Sequence, residues 1–301
     1  MTSFTRISRP RWRPRTEQRL AAVILLLGLL ALGLGACSSG QPTAELLVMC
    51  GAANQPAMAE IAKLYERETG TAVRLVTGGS GTLLAQIELS RQGDVYLPGS
   101  PDYIERAARK KLIFPDSVRR VSYLVPAIIV VPGNPRRITS LDDLARPGVR
   151  IALGNPETVC IGQYALEIFQ QNRLLPRIMN NVVVFGGSCA KTANMVAMGQ
   201  VDAMIGWRVL QYWNPDRLRA VPIAGDRIPR LSYIPVCIPV YCRNREAAAK
   251  FIDFILSTRG RTVYRRWGYL TSESEARTFA RRAVIGGRCR LPGRGGRSHE
   301  S

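Results

Sequence analysis

Residues 75–84, LVTGGSGTLL, pass from an apolar strand pattern into a helical pattern through three glycines and a serine. A turn of this kind gathers free backbone N–H groups at a helix start, where they favour negative charge. The turn has neither the lysine of a GxxxxGK phosphate loop nor the spacing of a GxGxxG dinucleotide loop. By itself it is more typical of a tight structural turn. Its meaning therefore depends on the rest of the chain.

The strand–turn–helix arrangement recurs along the sequence and predicts an α/β fold with two parallel or mixed sheets. Ligands of such sheets bind outside the carboxyl ends of the strands, where loops meet helix N-termini. We therefore expect four turns to face one cleft. They centre on Gly51–Gln55, Thr77–Gly81, Thr158–Gly162 and Gly187–Lys191.

Two long extended segments, near 123–131 and 233–242, join the two α/β units. If the last helices return to the first unit, the chain crosses twice, which makes a hinge with a cleft between two lobes. The sequence predicts a first lobe of residues 45–124 and 240–280, and a second lobe of residues 125–239.

The N-terminus is typical of an export signal. A basic segment precedes the apolar run Leu20–Leu34, which is short for a membrane span but right for a signal peptide. The following Leu34-Gly35-Ala36-Cys37 resembles a bacterial lipobox. This implies a signal peptide at 1–36, a lipid on Cys37, a tether at 37–44, and a folded part on the periplasmic or extracellular face of a bacterial membrane. The alternative is an ordinary signal peptide with an incidental cysteine.

The net charge of +20 lies largely at the two ends. Residues 1–19 carry +5 and residues 277–301 carry +6, which leaves +9 scattered over the middle of the chain. Nucleic-acid binding needs clustered basic residues, so this distribution argues against it. Residues 281–301 are rich in Arg and Gly and are expected to be a disordered basic tail.

Beyond Cys37 the chain holds six cysteines without CxxC spacing, and its one histidine is His299, near the end. A Cys/His zinc site and a histidine-dependent catalytic set are therefore not expected. We expect no catalytic residue, no cofactor and no metal site beyond a metal-containing oxyanion itself.

From about residue 45 to 272 the chain resembles the molybdate-binding proteins of ABC importers, which are type II solute-binding proteins. The matching stretches include CGAANQ (50–55), GGSGTLL (78–84), GDVYLPGS (93–100), TVCIGQYA (158–165) and NMVAMGQVDAMIGWR (194–208). The resemblance implies a two-lobed periplasmic-binding-protein-like fold. It also implies capture of molybdate or tungstate without catalysis, and delivery to an ABC permease by a monomer.

In that family, hydroxyls and backbone amides hold a tetrahedral dianion. The resemblance implies that Ser80 binds through its hydroxyl and amide, that Ile161 binds through its amide, and that the loop at Cys189 supplies another amide. Asn54 lies where the family usually has a serine, and Trp207 lies where a tyrosine hydroxyl is common. Both side chains still carry an N–H donor.

Cys50, Cys160 and Cys189 lie on three cleft loops and leave alternatives open. A disulfide between two of them, or burial as small apolar groups, is one interpretation. The other is that thiols touch the ligand, which favours a soft metal ion or a different, thio-substituted oxyanion. A thiol-dependent enzyme lacks a histidine partner. A purely structural surface lipoprotein is the remaining alternative.

Overall fold

A computed structural model describes residues 45–287 of the 301-residue chain. The expected signal peptide, tether and lipidated Cys37, and the tail beyond residue 287, lie outside the described residues. The described strands are β1 Glu45–Gly51, β2 Ala72–Gly78, β3 Val95–Leu97, β4 Arg119–Leu124, β5 Pro126–Val130, β6 Ile151–Gly154, β7 Val182–Gly186, β8 Ala203–Trp207, β9 Arg219–Pro222, β10 Arg230–Val236 and β11 Val284–Ile285.

The α-helices begin mostly directly after strands. They are α1 Gln55–Thr69, α2 Ser80–Ser90, α3 Pro101–Arg109, α4 Cys160–Gln171, α5 Leu175–Met179, α6 Cys189–Ala197, α7 Leu210–Trp213, α8 Arg245–Leu256, α9 Thr258–Arg266 and α10 Glu273–Arg277. Short 3-10 turns lie at Ala52–Asn54, Pro115–Ser117, Asp142–Ala145 and Gly225–Arg227. Within residues 45–287, no helix has both the length and the apolar character needed to cross a membrane.

The first sheet has the order β2-β1-β3, with both neighbours parallel to β1. Residues 46–51 of β1 are all buried, as expected for a central parallel strand covered on both faces. Helix α1 places Ala57, Ile61 and Tyr65 in the core. It ends at Gly70, whose φ of 70° is the left-handed conformation of a glycine cap. This sheet and its helices form the part of the molecule that we call the first lobe.

The second sheet has the order β7-β6-β8-β5-β9. Strand β6 runs parallel to β7 and β8, whereas β5 runs antiparallel to β8 and β9. We call this sheet and its helices the second lobe. The predicted α/β class with two parallel or mixed sheets is confirmed.

A third, small sheet with the order β11-β10-β4 lies where the chain passes between the two larger sheets. Strands β4 and β10 pair antiparallel, and β4 leads directly into β5 of the second sheet. After β10, Cys237 bridges to Tyr96 of β3, so the chain returns to the first sheet. The expectation that the disordered tail begins at residue 281 is wrong for residues 281–287, because β11 pairs with β10.

Candidate functional site

Ser80 occupies the first position of α2, directly after the glycine turn, and is 3% exposed. Its Oγ accepts a hydrogen bond of 3.0 Å from the backbone N–H of Gly99. Its carbonyl oxygen accepts a hydrogen bond of 2.8 Å from the Tyr96 hydroxyl. These contacts fix the serine while its own hydroxyl proton stays available for donation, because Oγ is the acceptor toward Gly99.

Cys160 begins α4 and lies at the point where several predicted donors meet. Its Sγ lies near the Ser80 side chain, the Ile161 backbone N–H and the Trp207 side chain. Gly99 packs so closely that a Cβ there would lie 2.7 Å from Sγ. Burial raises the pKa of the Cys160 thiol to about 12, so the group is a neutral thiol at physiological pH.

Trp207 ends β8 and is fully buried. Its Nε1–H has no hydrogen-bond partner among the described residues, although it lies beside the Cys160 thiol without a well-aligned bond to it. The Tyr164 ring meets the indole edge-on, with 5.2 Å between ring centroids. A buried N–H without a partner is unfavourable by about 1–3 kcal/mol, so an unpaired donor here indicates a ligand that accepts from it.

Asn54 is the second unpaired group. It ends the 3-10 turn that follows β1, is fully buried, and neither its Nδ2 nor its Oδ1 has a partner among the described residues. The turn contacts α6 of the second lobe. On its other side, the carbonyl of Ala53 accepts a hydrogen bond from the Tyr269 hydroxyl. The side chain of Asn54 is therefore held in the interior with its hydrogen-bonding capacity unused.

The loops of the two lobes touch around these groups. The Gly81 N–H donates to the Thr158 carbonyl at 2.8 Å. A Cβ on Gly79 would lie 2.8 Å from the carbonyl oxygens of both Thr158 and Gly187. Only glycine fits at position 79, because both neighbours are backbone atoms. The glycine turn at residues 78–81 is therefore a contact between the lobes as well as a helix start.

Cys189 and Cys50 differ from Cys160 in their surroundings. Cys189 begins α6, is 2% exposed, and its thiol lies near the backbone of Trp207. The Cys50 thiol donates to the carbonyl of its neighbour Gly51 at 3.6 Å. Burial raises the pKa of both thiols. Only Cys160 is thus placed against the Ser80 hydroxyl.

The structure decides between some of the alternatives for the cysteines. All five in the described range, Cys50, Cys160, Cys189, Cys237 and Cys242, are free thiols, so the alternative of a bracing disulfide is contradicted, whereas the alternative of burial fits Cys50, Cys160 and Cys189. Among residues 45–287, no group of three or more Cys, His, Asp or Glu side chains is arranged to hold a metal ion. Thiolate ligands would also have to form against the raised pKa values. The soft-cation alternative therefore has no support.

The donors at this site carry no formal charge. Arg208, next to Trp207, points away: its guanidinium donates to the Tyr212 hydroxyl at 2.9 Å and to the Gly268 carbonyl at 2.7 Å. The structure therefore brings Ser80, Ile161 and Trp207 together around Cys160, and places Asn54 and Cys189 on adjoining loops.

Sequence reasoning missed two features beside the site. Ser100 and Tyr164 are buried with hydroxyls that lack partners among the described residues. Arg230 stacks on the Tyr164 ring at 3.8 Å and pairs with two buried carboxylates. The local sequence around Asp102, Glu167 and Arg230 does not say which charges meet, because the three are far apart in the chain.

A model of the family described as bacterial extracellular solute-binding protein matches residues 46–270. The chain belongs to this family. Its members bind solutes and perform no catalysis, so the expectation of a non-enzyme is confirmed. The chain is a solute-binding protein of the ABC-importer type, a class that binds small solutes and works with a membrane permease.

Individual solute-binding proteins resemble the chain at low identity. The putative ABC transporter substrate-binding lipoprotein YvgL of Bacillus subtilis is 26% identical over 247 residues, covering 77% of this chain and 91% of that protein. The molybdate-binding protein ModA of Escherichia coli is 24% identical over 241 residues, covering 75% and 88%.

Solved structures of the family share the fold. The periplasmic molybdate-binding protein of Azotobacter vinelandii superposes with a TM-score of 0.66 at 17% identity, covering 76% of this chain and 100% of that one. The sulfate-binding protein SubI of Mycobacterium tuberculosis gives 0.69 at 15% identity, covering 81% and 94%. At these identities the likeness shows the architecture, and the ligand has to be argued from the site.

Proposed function

We propose that this protein captures a tetrahedral oxyanion, molybdate or tungstate, between its two lobes and delivers it to an ABC permease. The observation that carries the proposal is a set of buried, neutral donors on both lobes, two of which have no partner within residues 45–287. Ser80 and Asn54 belong to the first lobe, and Ile161 and Trp207 belong to the second. An oxyanion that accepts from all four would join the lobes and satisfy the unpaired N–H groups of Asn54 and Trp207.

Neutral donors suit a buried dianion. A cationic partner would itself lose hydration on burial, and this loss offsets much of the attraction. Oriented N–H and O–H dipoles at helix starts stabilise the anion without that loss. Hydrogen bonds to a charged group contribute about 1.5–3 kcal/mol each. Several of them suffice for the roughly 8 kcal/mol that a micromolar dissociation constant requires after ordering costs.

Calorimetric titration of the purified protein with molybdate, tungstate, sulfate and phosphate tests the proposal. We expect molybdate and tungstate to bind at micromolar concentration or below, and sulfate and phosphate to bind at least tenfold more weakly. Failure of all four anions to bind would overturn the proposal.

A second candidate is a different oxyanion in the same site. Asn54 and Trp207 stand where the family resemblance implies a serine and a tyrosine, so the donor set differs in reach from that of the resembled proteins. The similarity to a sulfate-binding structure is consistent with this candidate. In the same titration, tighter binding of sulfate or phosphate than of molybdate would favour it.

The proposal includes a lipid anchor on Cys37 and removal of residues 1–36. The basic and apolar segments of the N-terminus support it, as does similarity to a protein described as a lipoprotein. In a bacterial host, wild-type protein is expected in the membrane fraction, and Cys37→Ser protein is expected to lose this association. Equal membrane association of both would contradict the anchor.

The lobe boundaries, 45–124 with 240–280 and 125–239, are also part of the proposal. The passage from β4 into β5 and the return after β10 support them. Ligand-induced closure is expected to reduce the radius of gyration in solution scattering, whereas a purely structural lipoprotein would show no change.

A further inference from the structure

We propose that the Cys160 thiol contacts the bound oxyanion and biases the site toward large tetrahedral oxyanions over small, strongly hydrated ones. This inference rests on the proposed function, since it assigns a selectivity role within the same site. The thiol would line the anion-binding site between the Ser80 hydroxyl of the first lobe and the Trp207 indole of the second lobe.

The position of the sulfur is defined by its neighbours on both lobes. Gly99 presses against it from the first lobe, and the same Gly99 N–H binds the Ser80 Oγ at 3.0 Å. The Ile161 N–H and the Trp207 indole approach it from the second lobe. A Cβ on Gly99 would lie 2.7 Å from the Cys160 Sγ and 3.7 Å from the Ser80 Oγ, so the sulfur and the hydroxyl face the same space, and a ligand there that accepts from Ser80 would contact the sulfur.

Two unpaired polar groups indicate independently that a ligand belongs here. The Trp207 Nε1–H and both amide atoms of Asn54 are fully buried and have no partners among the described residues. The indole lies beside the thiol itself. The cysteine is therefore part of a built polar site, in contrast to Cys237, which is equally buried but follows β10 at a backbone bridge to Tyr96.

The chemistry of a thiol sets the direction of the selectivity. The S–H group is a weak donor on a large, polarisable atom. It therefore compensates poorly for the hydrogen bonds to water that a strongly hydrated anion loses when it binds. Sulfate and phosphate are smaller than molybdate and tungstate and are more strongly hydrated, so they lose more on entering such a cage. A hydroxyl in the same place would donate more strongly and allow closer approach, which favours the smaller anions.

The test compares Cys160→Ser, Cys160→Ala and wild-type protein by calorimetric titration with molybdate and sulfate. We expect Cys160→Ala to weaken molybdate binding about 5- to 20-fold, because a contact and a donor are lost. Cys160→Ser is expected to shift the sulfate-to-molybdate affinity ratio toward sulfate by about fivefold or more. The matched control is Cys237→Ser, which makes the same chemical change at a buried cysteine outside the site and should leave the ratio unchanged.

A second measurement does not depend on any variant folding. NMR spectra of wild-type protein labelled with 13C at cysteine Cβ should show that saturating molybdate shifts the Cys160 Cβ resonance. The half-buried Cys242 serves as the internal reference, and its resonance should keep its position.

The two proposals fail in different ways. If wild-type protein binds molybdate or sulfate but folded Cys160 variants keep both affinities, or if molybdate leaves the Cys160 Cβ resonance unchanged, the inference about the thiol is overturned and the proposed function stands. If wild-type protein binds no oxyanion, both are overturned.

Discussion

Two buried polar clusters lie side by side in this protein, and they are built in opposite ways. The cluster around Cys160 consists of neutral donors, some without partners. The cluster around Arg230 consists of charges, and every one of them is paired. The two are connected through Tyr164, whose ring contacts both Trp207 and the Arg230 guanidinium.

The charged cluster joins three elements of the fold. Arg230 of β10 donates through Nη1 to both carboxylate oxygens of Asp102 on α3, at 2.9 and 3.1 Å. Its Nε and Nη2 donate to Glu167 on α4, at 2.5 and 2.8 Å. A further Nη1 bond of 2.8 Å reaches the Gly287 carbonyl. All three charged side chains are less than 10% exposed.

The two clusters show that the cost of leaving a buried group unpaired distinguishes structural groups from ligand-binding groups. Charges without partners are strongly unfavourable in the interior, so the charged cluster must be complete within the protein. Neutral donors without partners are less unfavourable, so a site can hold them open for a ligand. The unpaired cluster is therefore where we expect function, and the paired cluster is where we expect stability.

The largest expected effect comes from breaking the charged cluster. Arg230→Met leaves two buried carboxylates without their cation, which is expected to lower the free energy of unfolding by about 3–5 kcal/mol. Urea denaturation followed by circular dichroism measures it. Lys250→Met, which breaks an exposed pair with Glu246, is the control and should give no measurable change. A loss no larger than the control would contradict the role of the cluster.

Ser80→Ala tests the neutral cluster directly. Loss of a hydroxyl that donates to an anion is expected to weaken molybdate binding by about 1.5–3 kcal/mol, or roughly 10- to 150-fold. Calorimetry measures the change. Ser90→Ala, at the exposed end of the same helix, should bind like wild-type protein. An unchanged affinity for Ser80→Ala would remove this serine from the site.

Trp207→Phe tests whether the unpaired indole N–H serves ligand binding, because folding stability and molybdate affinity are measured separately. It removes an N–H that has no partner in the described part of the chain, but it also leaves a cavity where the larger ring packed, so the free energy of unfolding without ligand should fall by about 1–3 kcal/mol. Molybdate affinity should fall by about 1–2 kcal/mol, measured in the same titration. Lost stability with unchanged molybdate affinity would show that the Trp207 indole is a structural group and not a donor to the ligand.

Alkaline pH should lower the free energy of unfolding because the Cys160 thiol is buried. Burial raises the pKa of Cys160 to about 12, so the folded protein keeps a proton that the unfolded chain loses near the ordinary thiol value of about 8.5–9. The unfolded state then binds fewer protons, and the free energy of unfolding falls as pH rises. Below a pH of about 8.5 both states keep the thiol proton, so the stability that this thiol confers is fully present there.

The change from pH 9 to pH 10 is about 1 kcal/mol for this thiol. Cys160→Ser should therefore lose about that much less stability over the same range in denaturant unfolding. Val159→Ala, a buried non-titrating neighbour, should shift the whole curve without changing its slope. Parallel curves for wild-type and Cys160→Ser protein would contradict the retained proton.

Much of the fold follows from local sequence. The glycine turn before Ser80 is a local pattern with a defined physical cause, and the helix expected after it is present; the Gly70 helix end and the buried run of β1 have local causes of the same kind. The family resemblance identified Ser80, Ile161 and Trp207, which the structure brings together. Their convergence could not be derived from local pattern, because it depends on how the two sheets meet.

The remaining features depend on long-range packing. Arg230, Asp102 and Glu167 are far apart in the chain, and nothing near any of them indicates its partners. The free thiols at Cys50, Cys160 and Cys189 show a similar limit, since a cysteine count does not give distances. The composition of residues 281–287 predicts a disordered tail. The strand β11 in this segment nevertheless forms, because it pairs with β10.

The most direct test of the central claim is a crystal structure grown with molybdate, with the metal located by its anomalous scattering. We predict one peak between the lobes, with anion oxygens within about 3.2 Å of the Ser80 Oγ, the Ile161 N–H and the Trp207 Nε1. A molybdate bound elsewhere, with these three donors still facing no anion, would contradict the account.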